Sequence, residues 1–118
     1  MPAAPHLIWK KSCDTCRRFK ATLEAEGAVF TAREMNAEPL SAAELDALLG
    51  DAPPKDFLNT HNEVYRARGL SKALPPRTEL IALLAEHNNL LRRPVLVVGG
   101  VAYCGNDLDR ARRLLGLA

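Results

Sequence analysis

Two cysteines, Cys13 and Cys16, stand between a short apolar run and a helix-patterned segment, and few local structures satisfy that arrangement. His6-Leu-Ile-Trp-Lys10 has the length and character of a buried strand and stops just before the first cysteine. Beyond it Cys16, Phe19, Leu23 and Ala25 recur at roughly helical spacing from Asp14 to Glu26, and Gly27 stands where a C-terminal cap is expected. The first cysteine then lies at or just before a helix N-terminus and the second about one turn in, which puts their α-carbons within disulfide range. Unpaired N–H groups and the positive end of the helix dipole favour the thiolate of Cys13. Lys10, Lys11 and Arg17 push the same way, and the carboxylate of Asp14 pushes against it. The spacing predicts a dithiol in which Cys13 attacks and the less exposed Cys16 resolves the mixed disulfide.

The rest of the chain supplies the frame. Ala28 to Met35 follows the capping glycine with β-branched and aromatic residues and reads as a second strand parallel to the first. After a loop at Asn36 to Leu40, Ser41 with Glu44 forms a capping box that opens a helix through Leu45, Leu48 and Leu49 to Gly50. Pro53-Pro54 breaks the chain, Lys55 to Asn59 reads as a turn of helix, and Glu63 to Arg68 as a short helix closed by Gly69. Past Pro75-Pro76, Leu80, Ile81, Leu83 and Leu84 mark a helix over Arg77 to Asn88. Arg93-Pro94-Val-Leu-Val-Val98 is a strand, Gly99-Gly100 a hairpin turn, and Val101-Ala-Tyr-Cys104 the returning strand. Asn106 or Asp107 caps a final helix through Leu108, Ala111, Leu114 and Leu115. The order is βαβ, a helical insertion over about 41–90, then ββα: an α/β domain over 1–118 with a mixed four-stranded sheet.

Composition narrows the function. A chain of 118 residues supports one compact core, and 47% hydrophobic with 25% charged residues is globular rather than disordered. Sixteen basic against 14 acidic residues give a net charge of +2, too even for a nucleic-acid footprint, and Arg110, Arg112 and Arg113 read as a solvated helix face. No apolar stretch approaches the ~18 residues of a membrane span. Met1 to Pro5 has no leader character, so a cytosolic location is expected. Three cysteines suit a reducing compartment, where a close pair is catalytic or metal-binding rather than structural. A zinc site would need Cys13, Cys16 and Cys104 with one of His6, His61 or His87, without the second closely spaced ligand pair such sites show, so no metal is expected. Cys13 and Cys16 packed as small hydrophobes are the other bland alternative, and Cys104 is expected to be a buried, inert thiol. The histidines are assigned no role.

Three segments together resemble the family of arsenate reductase ArsC and Spx-like proteins. They are Ser12-Cys-Asp-Thr-Cys-Arg17, Phe57-Leu-Asn-Thr60 with Glu63-Val-Tyr-Arg-Ala-Arg-Gly-Leu70, and Arg93-Pro94-Val-Leu-Val. The resemblance covers nearly the whole chain and implies a thioredoxin fold with a helical insertion, in which Pro94 is a cis-proline facing the dithiol and Cys13 shares a site with Arg93. Thr15, Arg17, Arg93 and Pro94 are then expected to shape the substrate site, with the Arg93 guanidinium suited to an oxyanion, a glutathione carboxylate or the Cys13 thiolate. Arsenate reductases of the family place three arginines around the cysteine; here Arg93 matches one, while Asn59 and Gly105 stand at the other two positions, so little arsenate reduction is expected. The Cys-x-x-Cys form is similar to the Spx-like branch, whose regulators bind RNA polymerase and use the dithiol as a redox switch, although His61 stands where that branch tends to have arginine. The expected function is a cytosolic thiol–disulfide oxidoreductase with no bound cofactor, taking electrons from glutathione or a glutaredoxin or thioredoxin. A redox-switch regulator bound to RNA polymerase is the alternative. Either is expected to act as a monomer, without direct contact to nucleic acid or membrane.

Overall fold

The computed structural model describes residues 4–117; the first three residues of the Met1 to Pro5 segment lie outside them. The elements are β1 (His6–Trp9), α1 (Asp14–Ala25), β2 (Thr31–Glu34), α2 (Ala42–Leu49), α3 (Glu63–Ala67), α4 (Arg77–Glu86), β3 (Val95–Val98), β4 (Val101–Cys104) and α5 (Leu108–Leu114), with single 3-10 turns at Pro54–Phe57 and Asn88–Leu90. Contacts divide the chain into two compact units: Pro39–Arg92 forms one, and the flanking segments, which end at Glu38 and resume at Arg93, form the other.

The flanking segments build a mixed four-stranded sheet in the order β2-β1-β3-β4, the thioredoxin-like arrangement. β1 runs parallel to β2 and antiparallel to β3, which pairs antiparallel with β4. Side chains alternate across a strand, so Leu7 and its partner Leu96 face one side and join Phe19, Leu23 and Ala111 in a buried core beneath α1 and α5. Trp9, Phe30, Val98 and Leu108 pack against this cluster. Each such large side chain, once buried, contributes on the order of 1.5–3 kcal/mol.

Helix α1 ends as its sequence predicts. Gly27 takes φ +87, its N–H reaches the Glu24 carbonyl, and the Ala28 N–H reaches that of Leu23, the paired bonds of a Schellman cap. This exit consumes residues 28–30, which is why β2 is four residues long rather than the Ala28 to Met35 expected. The ladder starts where the Thr31 N–H meets the Pro5 carbonyl at 2.9 Å. At the other end of the chain Asp107, not Asn106, caps α5 by accepting from the Arg110 N–H. Arg112 grips Glu26 with two 2.8 Å bonds that join α5 to the end of α1.

In the Pro39–Arg92 unit the capping box is present in full: the Ser41 side chain accepts from the Glu44 N–H, and the Glu44 carboxylate accepts from the Ser41 N–H. Helix α2 packs Leu45 and Leu49 against α4, whose buried face is Leu80, Ile81, Leu83 and Leu84. Helix α3 is capped by the Asn62 side chain. Helix α4 stops at Glu86, short of the expected Asn88, because the Asn88 side chain has other work. Its Oδ1 accepts from the Leu40 N–H at 2.7 Å, and its Nδ2 donates to the carbonyls of Leu84 at 2.9 Å and Leu40 at 3.2 Å. A single antiparallel bridge, Leu58 with Leu91, closes the unit. Among the described residues no helix is long and apolar enough to cross a membrane.

Candidate functional site

β1 and β3 deliver the site from the same end of the sheet. The pair Ile8–Val95 is the last in their register, so the loop leaving β1 and the Arg93-Pro94 segment entering β3 arrive side by side. The Arg93–Pro94 bond is cis, as the resemblance implies, and the Pro94 carbonyl accepts from the Gly105 N–H at 2.8 Å. Gly105 needs φ +99 to make that turn.

Cys13 is the N-cap of α1, with φ −94 and ψ 113, and its side chain makes no capping bond. Its own N–H is anchored to the Lys10 carbonyl at 3.0 Å. Burial pushes the Cys13 thiol up, but the Cys16 amide, the Cys16 thiol and the Arg93 guanidinium all favour the thiolate, and together they hold Cys13 below the ordinary thiol range. Cys16, with no solvent exposure, goes the other way: burial first, then the neighbouring Cys13 sulfur, push it up to about 11. One sulfur is therefore half-buried and acidic, the other enclosed and protonated.

The loop before α1 is fixed from both sides. The Glu34 carboxylate accepts from the Lys11 N–H at 2.8 Å and from the Ala37 N–H at 2.7 Å. Arg17 donates to the Lys11 carbonyl at 2.8 Å and to Asp14 at 3.0 Å, so its guanidinium supports the loop. Arg18 takes the second oxygen of Asp14. These two arginines largely neutralise the carboxylate that opposes the Cys13 thiolate. Thr15 is exposed and lines a groove with Arg18, Phe19, Thr22, Asn106 and Leu108, a volume of about 260 Å³. Of the residues expected in the substrate site, Arg93 meets Cys13, Pro94 follows it through the cis bond, Thr15 lines the groove, and Arg17 braces the loop before the dithiol. Sequence reasoning missed Glu34, Arg18, Thr22 and Asn106; only Arg18, four residues after Asp14 on one helix face, carried a signal.

The remaining candidates lie elsewhere. Cys104, expected buried, is half-buried opposite Val95 at the end of β4, because that edge strand is only partly covered. His6 Nδ1 sits 2.6 Å from the Thr31 hydroxyl oxygen, a link between neighbouring strands. Asn59 belongs to the other unit, where its N–H meets the Leu90 carbonyl and its side chain accepts from the His61 N–H at 3.1 Å. Among the described residues no three His, Cys, Asp or Glu side chains converge as metal ligands.

Comparison with known proteins agrees with the fold. The sequence model of the ArsC family matches residues 8–114. The global transcriptional regulator Spx of Bacillus subtilis is 30% identical over 111 residues, covering 92% of this chain and 85% of that protein. Its counterpart from Enterococcus faecalis is 29% identical, covering 92% and 84%. An ArsC family related protein from Bacteroides fragilis superposes with a TM-score of 0.80 at 28% identity, covering 97% of this chain and 99% of that one. The arsenate reductase of Vibrio cholerae gives 0.81 at 24% identity over 98% and 100%, a likeness of fold.

Proposed function

The chain belongs to the ArsC family, and from that premise we propose that it is a cytosolic thiol–disulfide oxidoreductase acting through Cys13 and Cys16, with glutathione or a glutaredoxin or thioredoxin as electron donor. The observation that carries this reading is the opposite displacement of the two thiols, one lowered beside Arg93 and one raised in the core. In this reading the Cys13 thiolate attacks one sulfur of a substrate disulfide. The S–S bond breaks, one thiolate leaves beside Arg93, and Cys13 is left in a mixed disulfide. That step removes the negative sulfur that helped hold the proton on Cys16, so Cys16 becomes easier to ionise while its burial persists. It then attacks the Cys13 sulfur, the mixed S–S bond breaks, the second substrate sulfur leaves and takes the Cys16 proton, and the Cys13–Cys16 disulfide remains, two electrons having moved to the substrate. Thr15, Arg93 and Pro94 form the substrate wall, and Arg17 keeps the loop in place.

The test is a pair of variants. Cys13→Ser is expected to abolish disulfide reduction, and Cys16→Ser to accumulate a mixed disulfide visible by mass spectrometry. Full activity of Cys13→Ser ends the proposal. A second reading, a redox-switch regulator that binds RNA polymerase, is favoured by the 30% identity to the global transcriptional regulator Spx across 92% of the chain. Binding to purified RNA polymerase that differs between the reduced and oxidised protein supports the switch. Equal, negligible binding in both states, with turnover of a small disulfide, supports the enzyme. Arsenate with glutathione and glutaredoxin is expected to give little or no turnover.

A further inference from the structure

The groove between α1 and the start of α5 has neither cysteine nor Arg93 in its lining, and Thr15 is its link to the dithiol. Thr15 lies between the two cysteines in sequence, and its exposed side reaches Arg18, Thr22 and Asn106 over a floor of Phe19 and Leu108. Two hydroxyls, one amide and one guanidinium above an aromatic and an aliphatic side chain suit a short chain with an apolar stem and a charged or polar end. The sign of that charge is set by the surroundings. Lys10, Lys11, Arg17, Arg18 and Lys20 lie just before and along the first turns of α1, against the carboxylates of Asp14, Glu34 and Glu24, which leaves this end of the helix net positive. Among the described residues Arg18 is held by Asp14 alone, and its side chain is 77% exposed. A guanidinium held this way exchanges one carboxylate for another with little loss, which is how an anionic ligand enters such a site.

We propose that this groove holds the non-reacting arm of the substrate disulfide and selects an arm that ends in a carboxylate, received by Arg18 with Thr22 and Asn106. The inference rests on the oxidoreductase reading and names its substrate class: a small disulfide with carboxylate-bearing arms. The chemistry is the exchange already described. The reduced dithiol supplies two electrons, the substrate S–S bond breaks, and one thiol and one thiolate leave while Cys13–Cys16 forms.

Octanedioate, the all-carbon analogue of dithiodipropionate, tests the groove without chemistry. Titrated into the reduced protein, it is expected to give saturable amide shifts at Thr15, Arg18, Thr22 and Asn106 that disappear in Arg18→Glu. Absence of shifts there, or the same shifts with octanediol, overturns the proposal. The kinetic arm compares single-turnover oxidation of the reduced protein by dithiodipropionate and by neutral bis(hydroxyethyl) disulfide. Their rate ratio is expected to fall about fivefold to tenfold in Arg18→Ala, as loss of a local guanidinium contact predicts. Arg113→Ala, which removes the same charge from the last turn of α5, is expected to shift the ratio by less than about twofold. Equal falls in both variants overturn a local site in favour of a diffuse field. If neither disulfide oxidises the wild-type protein, the oxidoreductase reading falls and the carboxylate-arm proposal falls with it. Loss of the groove shifts alone, with both disulfides still reduced, refutes only the subsite.

Discussion

Replacing Arg93 with Met keeps the length of the side chain and removes the guanidinium that both bonds to Cys13 and attracts its charge. Two unit charges about 4 Å apart interact by about 1 kcal/mol in water and about 4 kcal/mol at the effective dielectric of a protein surface. Cys13 is only half-buried, so a value near the lower end applies, and about 1.4 kcal/mol corresponds to a tenfold fall in thiolate population. The direction is fixed by the sign: a cation lost beside a thiolate moves the titration to higher pH. The rate falls less than the population. A more basic sulfur is a better nucleophile, with a Brønsted slope of about 0.4–0.5, which returns roughly threefold. Below both titration midpoints, alkylation of Cys13 by iodoacetamide is therefore expected to slow about threefold. The pH midpoint of the same reaction, followed also by thiolate ultraviolet absorbance, rises. Arg93→Lys, which restores the charge without the planar fork, recovers part of the shift. An unchanged midpoint in Arg93→Met refutes the assignment of Arg93 as the cation that acidifies Cys13.

Other perturbations separate frame from chemistry. Phe19→Ala empties the middle of the sheet–helix core and is expected to cost about 3–5 kcal/mol in denaturant unfolding. Asn88→Ala deletes three good hydrogen bonds and strands the Leu40 N–H, a loss of roughly 2–3 kcal/mol, read by hydrogen exchange in the Pro39–Arg92 unit. His6 is held below its usual value, by burial first and then by Arg33, so its neutral form is favoured in the fold. Stability from this source is present above the unfolded value of about 6.5 and is lost as pH falls toward the lower folded value. His6→Gln flattens that part of the stability–pH curve; an unchanged curve shows that another group titrates there.

How much of this was legible beforehand depends on whether the cause was local. The strand before Cys13, the glycine that ends α1, the Ser41 capping box and the Gly99-Gly100 hairpin are each decided within a few residues, and each forms as read. The failures come from long-range contacts or from two local signals in competition. Nothing near Asn88 in the chain says that its amide will meet Leu40, so the end of α4 was placed late. Ala28 to Phe30 carry strand-like residues, but the cap that runs from Leu23 takes Ala28 first, and pairing begins at Thr31. At the site, Cys13 and Cys16 follow from spacing, and the cis peptide before Pro94 from family resemblance. Glu34 as the clamp of the Lys11 loop, and Asn106 as a wall of the groove beside Thr15, depend on which strands and helices become neighbours in space.

The place of Cys13 at the N-cap of α1 has a consequence for how inactive variants are judged. Serine is among the most favoured residues at that position, and its hydroxyl accepts from the first turn in a way a thiol does poorly. Cys13→Ser, the variant expected to have no chemistry left, trades the thiolate's contacts with the Cys16 amide and Arg93 for this cap, and is thus expected to melt close to the wild-type protein. Absence of turnover in the serine form therefore reports on the sulfur itself and not on a damaged fold.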